Sequence, residues 1–137
     1  MGSVPPGFQP LSRLSPFIEL IGPVFERRGK DGVSLGLHVA PKHANRHGLC
    51  HGGVLASLAD IALGYAVAAS TGGKVAMVTA SLTIDYAGSA KVGEWIESEV
   101  EVQRTGSRLA FANCYLVAAG KRVVRASAIF AVASKAG

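Results

Sequence analysis

The chain has 137 residues, of which 49% are hydrophobic, 17% charged and 7% aromatic. That length fits one domain able to bury about two-thirds of its unfolded surface, and the composition excludes a disordered chain, with a core of Ala, Val, Leu and Ile built around 17 glycines. The net charge of +5 favours anionic partners, but the basic residues are scattered, with Arg27, Arg28 and Lys30 the densest group and no interleaved aromatic platform, so a small polyanion such as a phosphorylated cofactor fits as well as nucleic acid.

In chain order, MGSVPPGFQP has neither the basic segment nor the apolar run of a signal peptide. It also fails the myristoylation pattern, because Pro6 stands where Ser or Thr is needed. Residues 1–14 read as an irregular arm at the head of a single domain spanning 1–137. Ser15 is placed to cap a short helix to Ile21, with Pro16 in its first turn. Val24–Arg28 and Val33–Val39 read as strands about the turn Gly29-Lys30-Asp31-Gly32. Pro41–Cys50 reads as a loop.

From Gly52 to about Thr71 runs a long helix of small apolar residues, opened by His51-Gly52-Gly53 and carrying Asp60 near its middle. It is slightly short for a membrane span, contains Ser57 and Asp60, and has only Tyr65 as an interfacial aromatic, so a buried helix is expected and no membrane partner. A helix N-terminus presents unpaired N–H groups to negative charge. An ionised carboxylate in apolar surroundings is costly unless something pairs with it or uses it. The two features together point to a reaction centre.

After Gly72-Gly73 the period changes to two. Simple alternation over Val75–Tyr86 puts Ala76, Val78, Ala80, Leu82, Ile84 and Tyr86 on one face, and Thr79, Ser81, Thr83 and Asp85 on the other. Ile96–Val102 alternates in the same way, with Glu97, Glu99 and Glu101 as its solvated face. Hairpins through Gly106-Ser107 and Gly120-Lys121 lead to Arg108–Ala119 and Arg122–Ala133. One apolar helix and one sheet must bury each other, which gives an α+β layer design: a long central helix wrapped by a curved antiparallel sheet.

Two cysteines, Cys50 and Cys114, make no disulfide framework and suit a reducing, cytoplasmic setting. His38, His43, His47 and His51 are spaced like metal ligands, but Pro41, Asn45 and Gly48 break any helix that would align them, so no metal is expected. There is no G-x-S-x-G elbow, P-loop or G-x-G-x-x-G.

The combination of Asn45, His51-Gly52-Gly53, Asp60 and Thr79, followed by Asp85–Glu94 and Gly106–Phe111, resembles the hotdog-fold acyl-CoA thioesterases of the phenylacetate-degradation type over about residues 17–133. The resemblance implies a hotdog fold and a homodimer or tetramer in which His-Gly-Gly of one subunit faces the helix Asp of another. It also implies hydrolysis of an aromatic or medium- to long-chain acyl-CoA, with no cofactor beyond the CoA of the substrate. By the same resemblance, the Gly52 N–H polarises the thioester carbonyl and Asp60 is nucleophile or general base. Thr79 orients the water or the carboxylate, and Asn45 and His51 hold the loop and the carbonyl side. Gly53, Tyr86 and the segment Arg104, Thr105, Gly106, Ser107, Arg108 and Leu109 are implied to line the substrate channel, with Arg104 and Arg108 meeting phosphates. Asp85 and Cys50 depart from the pattern, and Asp85, expected on the strand face of Thr79, would add negative charge beside Asp60 if the two come close. A non-catalytic acyl-CoA binder, a hotdog hydratase or dehydratase, and a nucleic-acid-binding module, which would need a continuous basic face, are the alternatives; no nucleic-acid partner is expected.

Overall fold

A computed structural model describes residues 2–134. Its elements are β1 (Gln9–Pro10), α1 (Pro16–Ile21), β2 (Phe25–Gly29), β3 (Gly32–His38), α2 (Gly52–Ser70), β4 (Val75–Tyr86), β5 (Trp95–Thr105), β6 (Leu109–Ala118) and β7 (Lys121–Ser134), with one turn of 3-10 helix at Pro41–His43. All strands join one antiparallel sheet in the order β1-β2-β3-β5-β6-β7-β4. The sheet curves around α2, which buries Leu55, Leu58, Ala59, Ala62, Leu63, Ala66 and Val67. These meet Leu35 and Leu37 of β3, Ile96 of β5, Leu116 of β6, and Val124 and Phe130 of β7 in one core. The wrapped-helix design expected from the sequence is thus observed. By length and composition α2 could cross a membrane; here one of its faces is packed against the sheet.

Most element positions agree with the sequence within a residue or two. Ser15 caps α1 by accepting the Ile18 N–H at 3.2 Å. Three features differ. Although β4 follows α2 directly, it lies at the far edge of the sheet beside β7, and β5 pairs with β3 instead. Among the described residues, one edge of β4 therefore pairs with no other strand.

The second difference is a β-bulge in β4. Thr79 pairs with Phe130 and Ser81 with Ile129, so Ala80 is an extra residue in the ladder. An inserted residue flips the side-chain alternation beyond it. Met77 before the bulge and Leu82 and Ile84 after it all pack against the core. The simple alternation expected for Val75–Tyr86 is therefore wrong: Thr79 and Tyr86 face the helix together, while Ser81, Thr83 and Asp85 face outward.

The third difference is the N-terminal arm, which is not irregular throughout. Gln9 and Pro10 pair with β2, the Leu11 N–H donates to the Val24 carbonyl at 3.0 Å, and Leu11 is buried. Phe8 lies edge-on to Trp95 at 5.0 Å, with the Arg27 guanidinium 4.6 Å over its ring. Beyond it, Glu26 is only 2% exposed and accepts the Ser12 N–H at 3.1 Å and the Arg28 Nε–H at 2.8 Å.

Burial alone would raise the Glu26 carboxyl, but the Ser12 and Arg28 donors overcome it and hold the group below the usual carboxylate range. A lowered folded pKa means the stabilisation is complete above the ordinary carboxylate value and is lost as pH falls through the lowered one. Glu26→Gln is expected to cost about 2 kcal/mol at neutral pH. The gap between wild type and variant in urea midpoint should close on acidification; a gap unchanged down to acid pH would contradict an ionised Glu26.

Candidate active site

The loop before α2 is held rigidly enough to present the helix N-terminus. The Asn45 side-chain oxygen accepts the His47 and Leu49 N–H groups at 2.8 and 3.2 Å, and the Asn45 N–H donates to the Leu49 carbonyl at 2.7 Å. The buried ring of His43 accepts the Ala40 N–H through Nδ1 at 2.8 Å and donates through Nε2 to the Ile21 carbonyl at 2.5 Å. The His51 N–H donates to the His43 carbonyl at 2.7 Å, and that of Cys50 to the Ala90 carbonyl at 2.8 Å. Burial pushes the Cys50 thiol up to about 11 and Cys114 to about 12, which leaves both as inert thiols at neutral pH. Among the described residues the histidines join no group of three metal-ligating side chains.

His51 is the N-cap of α2. Its Nδ1 accepts the Gly53 N–H at 2.9 Å, and its carbonyl accepts those of Val54 and Leu55 at 2.9 and 3.1 Å. Three donors of the first turn are thereby satisfied within the protein. The Gly52 N–H has no acceptor among the described residues and stays free for a ligand. Tyr86 stands over this turn, its hydroxyl donating to the Gly52 carbonyl at 2.8 Å. A Cβ on residue 52 would lie 3.3 Å from the Tyr86 ring carbon Cζ and hydroxyl, so any larger residue there would push the phenol back by a few tenths of an ångström.

Farther along α2, the half-buried Asp60 accepts the Thr79 Oγ1–H at 2.8 Å through Oδ1, which leaves Oδ2 open. Asp60 and Thr79 share a cleft of ≈540 Å³ with Ile18, Ile61, Met77 and Phe130 on its walls. Asp60 is thus a carboxylate at the mouth of an apolar cleft, not a fully buried acid.

The residues expected to form one site fall into three groups within a single chain. His51, Gly52, Gly53 and Tyr86 lie together, as do Asp60 and Thr79. The eight residues from Gly52 to Asp60 place these groups about 12 Å apart along the helix axis. The third group, Arg104–Leu109, forms the β5–β6 turn by the other end of α2, where the Thr105 and Ser70 hydroxyls are 3.4 Å apart. There the Gly106 N–H donates to the Leu109 carbonyl at 2.8 Å, and the Arg108 carbonyl accepts the Val132 N–H at 2.8 Å. Arg104 lines a depression on the outer face with Ser81, Thr83 and Phe111. Neither Arg104 nor Arg108 lines the Asp60 cleft of its own chain.

Asp85 does not approach Asp60 either. The bulge turns it outward, where it accepts from Arg125 on β7 at 3.0 and 3.1 Å, six strand residues or roughly 20 Å from Thr79. Within this chain it adds no charge beside Asp60. Sequence reasoning missed the cleft's own cations, Arg13 and Arg28, and its hydroxyl, Tyr65. No motif marks them, since three separate elements carry them to the same place.

Comparison with known proteins places residues 47–125 within a match to the Thioesterase superfamily. The chain is 43% identical over 131 residues to a Pseudomonas aeruginosa protein named "Putative esterase PA0474", covering 95% of this chain and 98% of that one. The crystal structure of zebra fish Thioesterase Superfamily Member 2 superposes with a TM-score of 0.79 at 30% identity, over 87% of this chain and 88% of that one. A Streptococcus pneumoniae protein described as a "Hypothetical Thioesterase Protein" and solved with coenzyme A shares the fold at a TM-score of 0.74 and 22% identity, over 83% of this chain and 88% of that one.

Proposed function

We infer the activity from one premise: the chain belongs to the Thioesterase superfamily. The reaction we propose is hydrolysis of an aromatic or medium- to long-chain acyl-CoA to CoA and a free carboxylic acid, as in the phenylacetate-degradation type. The observation that carries it is the pairing of two features on α2. One is a free N–H at Gly52, the other a cleft carboxylate with one oxygen held by Thr79 and the other open.

An acceptor-seeking N–H at a helix N-terminus is suited to the oxyanion that forms when a thioester carbonyl is attacked. Asp60 either attacks that carbonyl or takes the proton of the water that does. Collapse of the adduct breaks the C–S bond: by the base route Asp60 returns the water's proton to the leaving CoA thiolate, and by the nucleophilic route the thiolate takes a proton from solvent and water then cleaves the acyl-Asp60 anhydride to the free acid. The Thr79 hydroxyl fixes the rotamer of Asp60 and keeps Oδ2 directed at the substrate.

Because Gly52 and Asp60 of one chain are about 12 Å apart, one carbonyl cannot touch both. A second copy joined through the free edge of β4 would extend the sheet and bring its Gly52 to the first copy's Asp60. Val78, 68% exposed on that strand, is an apolar contact for such a partner. The active unit in this reading is a dimer or a higher oligomer of it.

The direct test is CoA thiol release from a panel of aromatic and aliphatic acyl-CoAs by the wild-type oligomer. Turnover supports the reading, and tight acyl-CoA binding without release would leave a binding protein instead. Thr79→Val is expected to lower kcat about tenfold, the worth of one hydrogen bond to a charged group, with Thr79→Ser near wild type. Equal losses in the two variants would remove the hydroxyl from the mechanism.

A further inference from the structure

We propose that the cleft beside Asp60 selects acyl groups whose far end bears a carboxylate, read by the Arg13 guanidinium with Arg28 at its side. The inference rests on the thioesterase reading and specifies its substrate class. The cleft follows α2 from Asp60 to the Gly72–Gly73 turn, about 15 Å for the ten residues from Asp60 to Ser70. Between its ends the walls are apolar, with Ile18, Ile61, Met77 and Phe130. At the Gly73 end lies Arg13, its Nη2 3.7 Å from where a Cβ on Gly73 would sit.

Arg13 is not needed as a helix cap. The carbonyls of Ala68 and Ala69 already accept the N–H groups of Thr71, Gly72 and Gly73 at 2.9–3.2 Å. Nor does Arg13 form an ion pair with a carboxylate among the described residues, where the bridges are Arg28–Glu26, Arg122–Glu99 and Arg125–Asp85. Its backbone is nevertheless fixed, because its carbonyl accepts the Tyr65 hydroxyl and the preceding Ser12 is tied to Glu26. Arg28 is held through Nε by Glu26 at 2.8 Å, which leaves its two terminal nitrogens free of that bond. Glu26 offsets one of these cations, so one guanidinium is in surplus at the end of an apolar cleft.

Arg13 is exposed at this end of the cleft, and a methyl-ended tail reaching it makes no polar contact with the guanidinium. A carboxylate there accepts two parallel N–H bonds. Repulsion from Asp60 is weak, because about 15 Å exceeds the screening length of roughly 8 Å at physiological salt. A phosphate of CoA carries the same chemistry, so the test separates the two sources.

Wild type, Arg13→Gln and Arg13→Lys would be assayed on methyl-ended and ω-carboxylated acyl chains of matched length, from six to twelve carbons. Each chain would be carried both on CoA and on N-acetylcysteamine, which has no phosphate. The expected result is a preference of tenfold or more in kcat/KM for the ω-carboxylated member at one or more lengths, on both carriers. Arg13→Gln should narrow that preference at least fivefold, and Arg13→Lys should restore part of it. Equal rates on matched pairs would overturn the inference while leaving the thioesterase reading intact. A loss in Arg13→Gln confined to CoA carriers and indifferent to the acyl end would assign the arginine to phosphate and also overturn it. Hydrolysis of no thioester at all would remove the reading beneath it.

Discussion

Asp60→Asn is expected to lower kcat by about a thousandfold, within the range for loss of a positioned acid-base group, while leaving the melting temperature within a few degrees of wild type. The asymmetry follows from the geometry. Asn keeps an oxygen that can accept the Thr79 hydroxyl, now 2.8 Å from Oδ1, and the side chain lines a cleft instead of filling the core. What Asn lacks is the negative charge and basicity of the open oxygen. CoA release and thermal unfolding, measured on the same preparations, separate the outcomes. A variant within tenfold of wild type in kcat would show that Asp60 is a structural carboxylate. A destabilised variant with a proportionate activity loss would say the same.

Gly36→Ala is expected to be the most damaging single methyl in the chain, costing about 3 kcal/mol and roughly 10 °C in melting temperature for a domain of this size. Gly36 sits on β3 opposite Glu97 of β5 and Phe25 of β2. A Cβ there would lie 2.0 Å from Cζ2 of Trp95 and 2.5 Å from its Cη2, well inside van der Waals contact. The indole has little room to retreat, with Phe8 at 5.0 Å, His38 at 4.9 Å and Phe25 at 6.0 Å between ring centroids. Because Phe8 belongs to the arm, displacing Trp95 should also release residues 2–14 to limited proteolysis and change the fluorescence of the single tryptophan. A melting temperature within two degrees of wild type would mean that the indole does not cover Gly36.

The parts of the site that could be read early are those written in contiguous residues. His51-Gly52-Gly53 before a long apolar run specifies a helix start with small residues where a ligand must come close, and Asp60 stands out as a lone acid in that run. Thr79 and Tyr86 were also identified, through the family resemblance, yet their expected facing was inconsistent. They are seven residues apart in β4, an odd spacing that sends side chains to opposite faces of a regular strand. Only the bulge at Ala80 puts both on the helix side, and the sequence does not mark it, since Val75–Val78 are all apolar and fit either face. The same insertion carries Asp85 away from Asp60 and into its cross-strand pair with Arg125.

Arg13 and Arg28 show the complementary limit. Each reads as an ordinary surface cation, one in a Pro- and Gly-rich arm and the other near a turn. Their meeting in one cleft depends on β1 pairing with β2, on the buried Glu26 that ties Ser12 to Arg28, and on Tyr65 reaching across from α2.

The sequence by itself determined the helices, every strand but β1, their hairpins and the wrapped-helix architecture. These follow from hydrophobic period, cap residues and turn glycines, all of which act over a few neighbouring positions. The tertiary structure alone decided that β4 closes the far edge of the sheet, which of its side chains face the helix, and which cations end the cleft. Those outcomes depend on strand register and on contacts between residues tens of positions apart, where a one-residue slip reverses a face and local periodicity carries no record of it.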